Sequence, residues 1–125
     1  MGHGDEIVIG DGNFPAVTYA QRLVRCDGHG VPPLLEAILE LFPLDEYADN
    51  PVALMEVVPG DTAPTPAIWQ VYKDILQKNH LLPDKIEYME RFAFYRRAEK
   101  AFAIVATGES AIYANILLKK GVIKS

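Results

Sequence analysis

Residues 7 to 9, Ile-Val-Ile, restrict the fold of this chain more than any other stretch. Successive side chains of a strand point to opposite faces of the sheet, so an unbroken apolar run is buried on both faces. A strand of this kind lies inside a sheet that other elements cover on both sides. The stretch therefore predicts a layered fold with helices on each face of the sheet.

Three segments have the spacing of amphipathic helices. Pro32 and Pro33 precede LLEAILELF, which predicts a helix that begins at these prolines and ends before Pro43. The buried residues expected on it are Leu34, Leu35, Ile38, Leu41 and Phe42. A second helix is predicted to follow Thr65 as its N-cap. Its expected buried residues are Ile68, Val71, Tyr72, Ile75 and Leu76. The third is predicted over residues 91–100.

Further strands are predicted between these helices. Apolar runs cover residues 52–58, closed by the turn Pro59-Gly60, as well as residues 102–106 and 113–118. Shorter strands are expected near Leu23 and Ile86. Strands that alternate with helices are typical of α/β folds. With 125 residues, of which 50% are hydrophobic, the chain suits a single domain over residues 1–125.

Composition restricts the classes of partner. Twelve basic against 17 acidic residues give a formal charge of -5, which argues against binding to nucleic acid or to an anionic membrane surface. No apolar run approaches the roughly 20 residues of a membrane span. Cys26 is the single cysteine, so no internal disulfide forms, and a cytoplasmic location is expected. The three histidines are scattered without the spacing of metal ligands, and no metal site is predicted.

His3 is a candidate acid/base residue, because imidazole titrates near neutrality and its glycine neighbours leave room for a ligand. The spacing alone favours the alternative of a loosely held residue near a terminus. His29, in a second GHG, is expected to be structural or exposed to solvent. His80 is expected at a helix end, and the run Thr107-Gly108-Glu109 is interpreted as a turn without chemistry.

Four polar residues elsewhere are candidates for ligand binding. Asp11 follows the first strand, where carboxylates often meet ligands in α/β proteins, but Asp-Gly is also a common turn former. Tyr113 and Asn115 are two apart on a predicted strand and so share a face, although a half-polar exposed strand explains them equally well. Arg91 begins a predicted helix, with a surface ion pair to Glu87 or Glu90 as the alternative.

Long ordered motifs run through the chain. They are MGHGDEI, GDGNFPA, GHGVPPLLEAILELFPLD, RFAFYRRAEKAFAIVATGE and YANILLKKGV. With these motifs the chain resembles, from end to end, the family of L-fucose mutarotases and D-ribose pyranases, and in particular its fucose branch. The resemblance implies an enzyme that interconverts the anomers of a free sugar without a cofactor. It also implies a mixed β-sheet with helices on both faces and a ring-shaped homo-oligomer, for which the decamer of relatives is one candidate.

The resemblance also implies roles for individual residues. His3 is the implied catalytic acid/base, and Tyr113 is preferred as its partner acid. The residues implied to line the sugar are Asp11, Arg91, Tyr113, Ala114 through its backbone, and Asn115. Two alternative functions stay open: the pyranose/furanose interconversion of D-ribose, and a sugar-binding subunit without turnover. Arg91 in RFAFY favours the fucose branch.

The chain departs from its relatives in two respects, and the distance between His3 and Asp11 bears on where the pocket lies. Relatives usually have a helical segment ahead of MGHGDEI, which is expected to be absent here, and Ala114 stands where glycine is usual. His3 and Asp11 are eight residues apart, a span of roughly 26 Å if fully extended, which one monosaccharide does not bridge. We therefore hypothesise that the pocket lies at a contact between subunits. The alternative is a chain that folds back to supply every group.

Overall fold

The computed structural model describes residues 2–61 and 65–122, which build one six-stranded sheet with helices on both faces. The strands are β1 (Glu6–Gly10), β2 (Leu23–Cys26), β3 (Val52–Met55), β4 (Ile86–Met89), β5 (Ala103–Thr107) and β6 (Ile116–Lys119). The helices are α1 (Ala16–Tyr19), α2 (Val31–Leu41), α3 (Ala67–Lys78), α4 (Arg91–Glu99) and a 3-10 turn, Pro83–Lys85. The predicted single-domain α/β fold is confirmed.

β1 lies inside the sheet, whose strand order is β2-β5-β1-β6-β3-β4. It pairs in parallel with β5 and antiparallel with β6, so the sheet is mixed. Ile7 and Ile9 pack with the core residues of α2 and α3, whereas Val8 packs with those of α1 and α4. The apolar run thus has a helical layer on each side, as its pattern predicts.

The strand order brings several chain segments to one edge of the sheet. β2 and β5 are parallel to β1, and β3 and β4 run in the same direction because both β1 and β3 are antiparallel to β6. The carboxyl ends of these five strands therefore meet the amino end of β6 at a single edge, which we call the C-edge. Ligands commonly bind at this position in α/β proteins.

Two predicted strands are shorter in the structure. β6 begins at Ile116 rather than Tyr113, because Tyr113 adopts a left-handed conformation with φ of 55° that a strand does not allow. β3 ends at Met55 rather than Val58, whose N–H points to the Tyr113 hydroxyl (3.3 Å) instead of a neighbouring strand. Both boundaries change because the chain leaves the sheet to build the C-edge.

Two residues predicted to be buried are exposed. Leu41 is 85% and Val71 43% exposed, while Leu39 and Trp69 are buried in the core. Each exposed residue lies two positions, or about 200° around the helix, beyond the buried one, and therefore faces away from the sheet. The N-cap prediction for Thr65 is also wrong. α3 starts at Ala67 with Pro66 at the N-cap, and no side chain caps it.

Within the described residues, none of the helices is long and apolar enough to cross a membrane.

Candidate active site

A cavity of about 320 Å³ opens at the C-edge, a volume in the range of small-molecule sites. The polar residues that line it are Asp11, Asn13, Asp61, Arg91, Tyr95, Tyr113 and Asn115, and the apolar ones are Phe14, Met55, Val58 and Ile112. Four of the predicted site residues, Asp11, Arg91, Tyr113 and Asn115, are thus brought together. They come from the loop after β1, the start of α4 after β4, and the loop before β6.

Asp11 is 6% exposed and connects the loops that flank β1 and β6. Its carboxylate accepts from the N–H groups of Asn13 (3.0 Å) and Ala114 (3.2 Å), and its own N–H donates to Asn115 Oδ1 (2.8 Å). Burial raises the pKa of this carboxyl, while the two N–H bonds oppose the rise. The predicted turn is confirmed by the bond from the Asn13 N–H, and Asp11 also lines the cavity, while its contact with a ligand stays a prediction.

Tyr113 faces the cavity from a left-handed turn. Its hydroxyl donates to Asp61 Oδ2 (2.7 Å) and accepts from the Val58 N–H (3.3 Å). Its carbonyl accepts from Trp69 Nε1 (2.8 Å). The predicted strand alternation that would set Tyr113 and Asn115 on one face is wrong, since neither residue lies on a strand. The two side chains line the same cavity because of loop geometry.

Arg91 supplies positive charge at the cavity, whose lining also includes the acids Asp11 and Asp61. It begins α4, and its guanidinium lies over the Phe92 ring, 4.6 Å from the centroid. The Glu90 carboxylate caps this helix by accepting from the Ala93 N–H (3.0 Å). The end of β4 and the cap together place the arginine in the lining of the cavity.

Ala114 lies behind the cavity rather than in its lining. It is fully buried, and its side chain packs in the core with α2 and α3. Its N–H donates to Asp11, and its carbonyl accepts from the Tyr72 hydroxyl (2.6 Å). The methyl group that distinguishes it from glycine therefore sits in the core and does not crowd the cavity. Sugar contact through its backbone stays a prediction.

His3 lies at the opposite edge of the sheet, before β1, and does not line the cavity. Its Nε2 is 3.3 Å from Asp45 Oδ1, its ring meets the Tyr47 ring edge-on, and its side chain is 48% exposed. Burial opposes ionisation of Asp45, but the Tyr47 N–H and His3 outweigh it and hold the pKa of that carboxyl below its ordinary value. β1 lies between His3 and Asp11 in the chain and is itself roughly 13 Å long from Glu6 to Gly10.

Sequence reasoning missed four residues that support the site: Asp61, Trp69, Tyr72 and Glu109. Trp69 and Tyr72 hold two successive carbonyls of the loop before β6. A signal was available for both, because a buried Trp or Tyr usually finds a hydrogen-bond partner for its polar atom. Asp61 had no comparable signal, because its contact with Tyr113 joins residues 52 positions apart.

Glu109 lies in the turn to which the sequence assigned no chemistry. Its carboxylate accepts from the N–H groups of Val31 (3.0 Å), at the start of α2, and Ala111 (3.1 Å). Its carbonyl accepts from the Gly12 N–H (2.8 Å). It follows β5 at the C-edge, as Asp11 follows β1, and that shared position was the missed signal. His29, in contrast, is exposed as predicted.

Within residues 2–61 and 65–122, no group of three or more His, Cys, Asp or Glu side chains has the arrangement of a metal site.

Comparison with known proteins identifies the family. The model of the RbsD / FucU transport protein family matches residues 1–123. Human fucose mutarotase is 50% identical over 129 residues, which cover 98% of this chain and 82% of the human protein. L-fucose mutarotase of Actinobacillus pleuropneumoniae serotype 5b (strain L20) is 48% identical over 122 residues, with 98% and 84% covered.

A solved structure agrees with these relatives. The crystal structure of the fucose mutarotase from Streptococcus pneumoniae in complex with L-fucose matches with a TM-score of 0.95 at 49% identity. The match covers 99% of this chain and 87% of that chain. The resemblance drawn from the sequence motifs is confirmed. The chain belongs to the RbsD / FucU transport protein family.

Proposed function

We propose that this protein is an isomerase that interconverts the α and β anomers of L-fucose without a cofactor. The observation that carries the proposal is the convergence of Asp11, Arg91, Tyr113 and Asn115 on one cavity. Carboxylate, guanidinium, phenol and amide groups together supply the donors and acceptors that replace the water around sugar hydroxyls. Relatives with 48% and 50% identity are fucose mutarotases, which favours L-fucose over D-ribose.

The reaction needs only proton exchange. The anomeric hydroxyl loses a proton while the ring oxygen gains one, the ring opens to the aldehyde, and reclosure on the other face gives the second anomer. A positioned acid or base contributes about 10² to 10⁴ in rate. We assign this proton exchange to His3 and Tyr113, and sugar binding to Asp11, Arg91, Ala114 and Asn115.

In this proposal, the His3 that acts at the cavity of one chain belongs to a neighbouring copy of the chain. Its half-exposed imidazole lies at the edge opposite the cavity of its own chain. Beside it, Leu41, Tyr47 and Val122 are exposed and line an apolar depression of about 420 Å³. Ile112 in the lining of the cavity and Phe92 beside Arg91 are both more than half exposed.

Exposed apolar patches mark interaction surfaces. Contact between two different edges is heterologous, and a rotation between neighbours that closes gives the ring of this proposal, for which the decamer is one candidate. In this proposal residues 1–125 act as one sugar mutarotase domain, and the lone Cys26 suits a reducing cytoplasm.

Saturation-transfer NMR tests the proposed activity directly. With L-fucose we expect exchange between the two anomeric proton signals far above the uncatalysed rate. We expect His3→Ala to reduce this exchange at least about 100-fold while the fold is retained. The matched control is His29→Ala, which changes the same residue type in the second GHG and should keep wild-type exchange.

Each alternative function has its own result in this experiment. Exchange between the pyranose and furanose forms of D-ribose, with none for L-fucose, would identify a ribose pyranase. Broadening of the sugar signals without exchange would identify a binding subunit. Wild-type exchange in His3→Ala would reject the role of His3.

A further inference from the structure

The Tyr113 hydroxyl has little freedom in how it meets a ligand. A phenol has one proton to donate and lone pairs that accept. The hydroxyl donates its proton to Asp61 Oδ2 (2.7 Å), since an ionised carboxylate only accepts hydrogen bonds. One lone pair of the hydroxyl oxygen accepts from the Val58 N–H (3.3 Å). The position left for a sugar in the cavity is therefore an acceptor position. A sugar hydroxyl meets Tyr113 as the donor.

We propose that Asp61 is a positioning residue that makes Tyr113 a proton acceptor toward the bound sugar. The proposal rests on the proposed mutarotase function and changes the part of Tyr113 in it, from partner acid to base. Asp61 lines the same cavity and is exposed to solvent, so a proton that reaches it is readily exchanged with water.

The proton transfers balance in this arrangement. The anomeric hydroxyl gives its proton to Tyr113 Oη, whose own proton moves to Asp61 Oδ2, so Tyr113 remains neutral. The electron pair left on the anomeric oxygen forms the carbonyl bond, and the bond between the anomeric carbon and the ring oxygen breaks. The ring oxygen takes a proton from the imidazolium of His3 of the neighbouring copy, which becomes neutral as Asp61 does, and the reverse transfers close the ring.

The substitution that tests Asp61 is Asp61→Asn, which keeps the size of the side chain but removes its ability to take up a proton. We expect kcat for L-fucose exchange to fall roughly 10- to 100-fold, with KM changed less than about threefold. Asp61→Glu, which restores the carboxylate, should return kcat to within about tenfold of wild type. The matched control is Asp49→Asn, an equal charge change at an exposed loop residue outside the cavity.

A double substitution distinguishes an effect of Asp61 that acts through Tyr113 from a general effect on the loop that contains Asp61. In a Tyr113→Phe background the phenol proton is gone, so Asp61→Asn should lower kcat by less than about twofold further. Losses that multiply would show that Asp61 acts independently, and would overturn the proposal. Wild-type kcat in Asp61→Asn, or equal loss in Asp61→Glu, would overturn it as well. Absence of exchange in the wild-type protein would reject the mutarotase function itself, before any variant is measured.

Discussion

Asp11 shows how one side chain serves both structure and site. Its two carboxylate oxygens accept from the N–H groups of Asn13 and Ala114, and its N–H donates to Asn115. Burial of this charge is unfavourable, which is why its pKa is raised, and the backbone donors offset part of the cost. The bond that its N–H donates holds Asn115 at the cavity, whereas its carboxylate holds the Ala114 N–H in the loop before β6. Removal of the charge therefore affects both stability and binding.

We expect Asp11→Asn to lower the free energy of unfolding by about 1–3 kcal/mol. The new amide NH2 must face one of two N–H donors, so a buried donor loses its acceptor. L-fucose exchange should fall by more than about tenfold, because the cavity loses a carboxylate and the loop before β6 loses one of the bonds that position it. Urea unfolding and saturation-transfer NMR measure the two effects. Asp27→Asn, an exposed acid, is the control, and unchanged stability in Asp11→Asn would contradict the assigned bonds.

At the scale of elements, α3 holds the loop that precedes β6. Trp69 Nε1 donates to the carbonyl of Tyr113 (2.8 Å). The Tyr72 hydroxyl donates to the carbonyl of Ala114 (2.6 Å). Tyr113 has a left-handed backbone, which is unfavourable for a bulky residue and persists only where surrounding contacts hold it. The helix therefore sets the direction in which Tyr113 enters the cavity.

For the contact between α3 and the loop before β6, we expect Tyr72→Phe to lower the free energy of unfolding by about 1–3 kcal/mol, because the buried Ala114 carbonyl loses its donor. We also expect kcat for L-fucose exchange to fall several-fold as Tyr113 shifts. Tyr88→Phe is the matched control, since that side chain is 40% exposed. Thermal unfolding and exchange kinetics are compared for both variants. Equal effects in the two would argue against a special role for the α3 contact.

At the scale of the whole molecule, the two groups of site residues lie at opposite edges of the sheet. Asp11, Arg91, Tyr113 and Asn115 line the C-edge cavity, whereas His3 contacts Asp45 and Tyr47 beyond the other end of β1. The core packed around β1 leaves no room for one chain to bring them together without unfolding. In the proposed ring, each copy presents one edge to its neighbour.

Mixing of variants with impaired exchange tests the proposed shared site. His3→Ala and Tyr113→Phe are dissociated, mixed in equal amounts and reassembled, with subunit exchange verified by mass-labelled chains. About a quarter of the contacts then combine an intact His3 with an intact Tyr113, so we expect up to about a quarter of wild-type exchange.

The control mixture for that test combines Tyr113→Phe with Asp11→Asn, whose changes lie in the same cavity, and should regain no more activity than its parents. Sedimentation of the wild-type protein should show an oligomer. No recovery in the first mixture, or a wild-type monomer, would reject the shared site.

Local patterns in the sequence determined the layers of this protein. The apolar run in β1 predicted burial on both faces, and helical spacing predicted α2, α3 and α4, because these signals depend only on residues a few positions apart. Where the signal was weak the predictions failed: Leu41 and Val71 are exposed because the helix rotation relative to the sheet is set by packing. The motifs were sufficient to identify the family and the candidate site residues.

Only the tertiary structure decided how those residues meet. Asp11 and Asn115 are 104 positions apart, and Tyr113 and Asp61 are 52 apart, so their contacts depend on strand order and direction, which no local pattern encodes. The left-handed turn at Tyr113 likewise follows from bonds donated by α3. His3 lies at the opposite edge because β1 runs straight from the edge near His3 to the C-edge, and the glycines beside His3 do not bring it back toward the cavity.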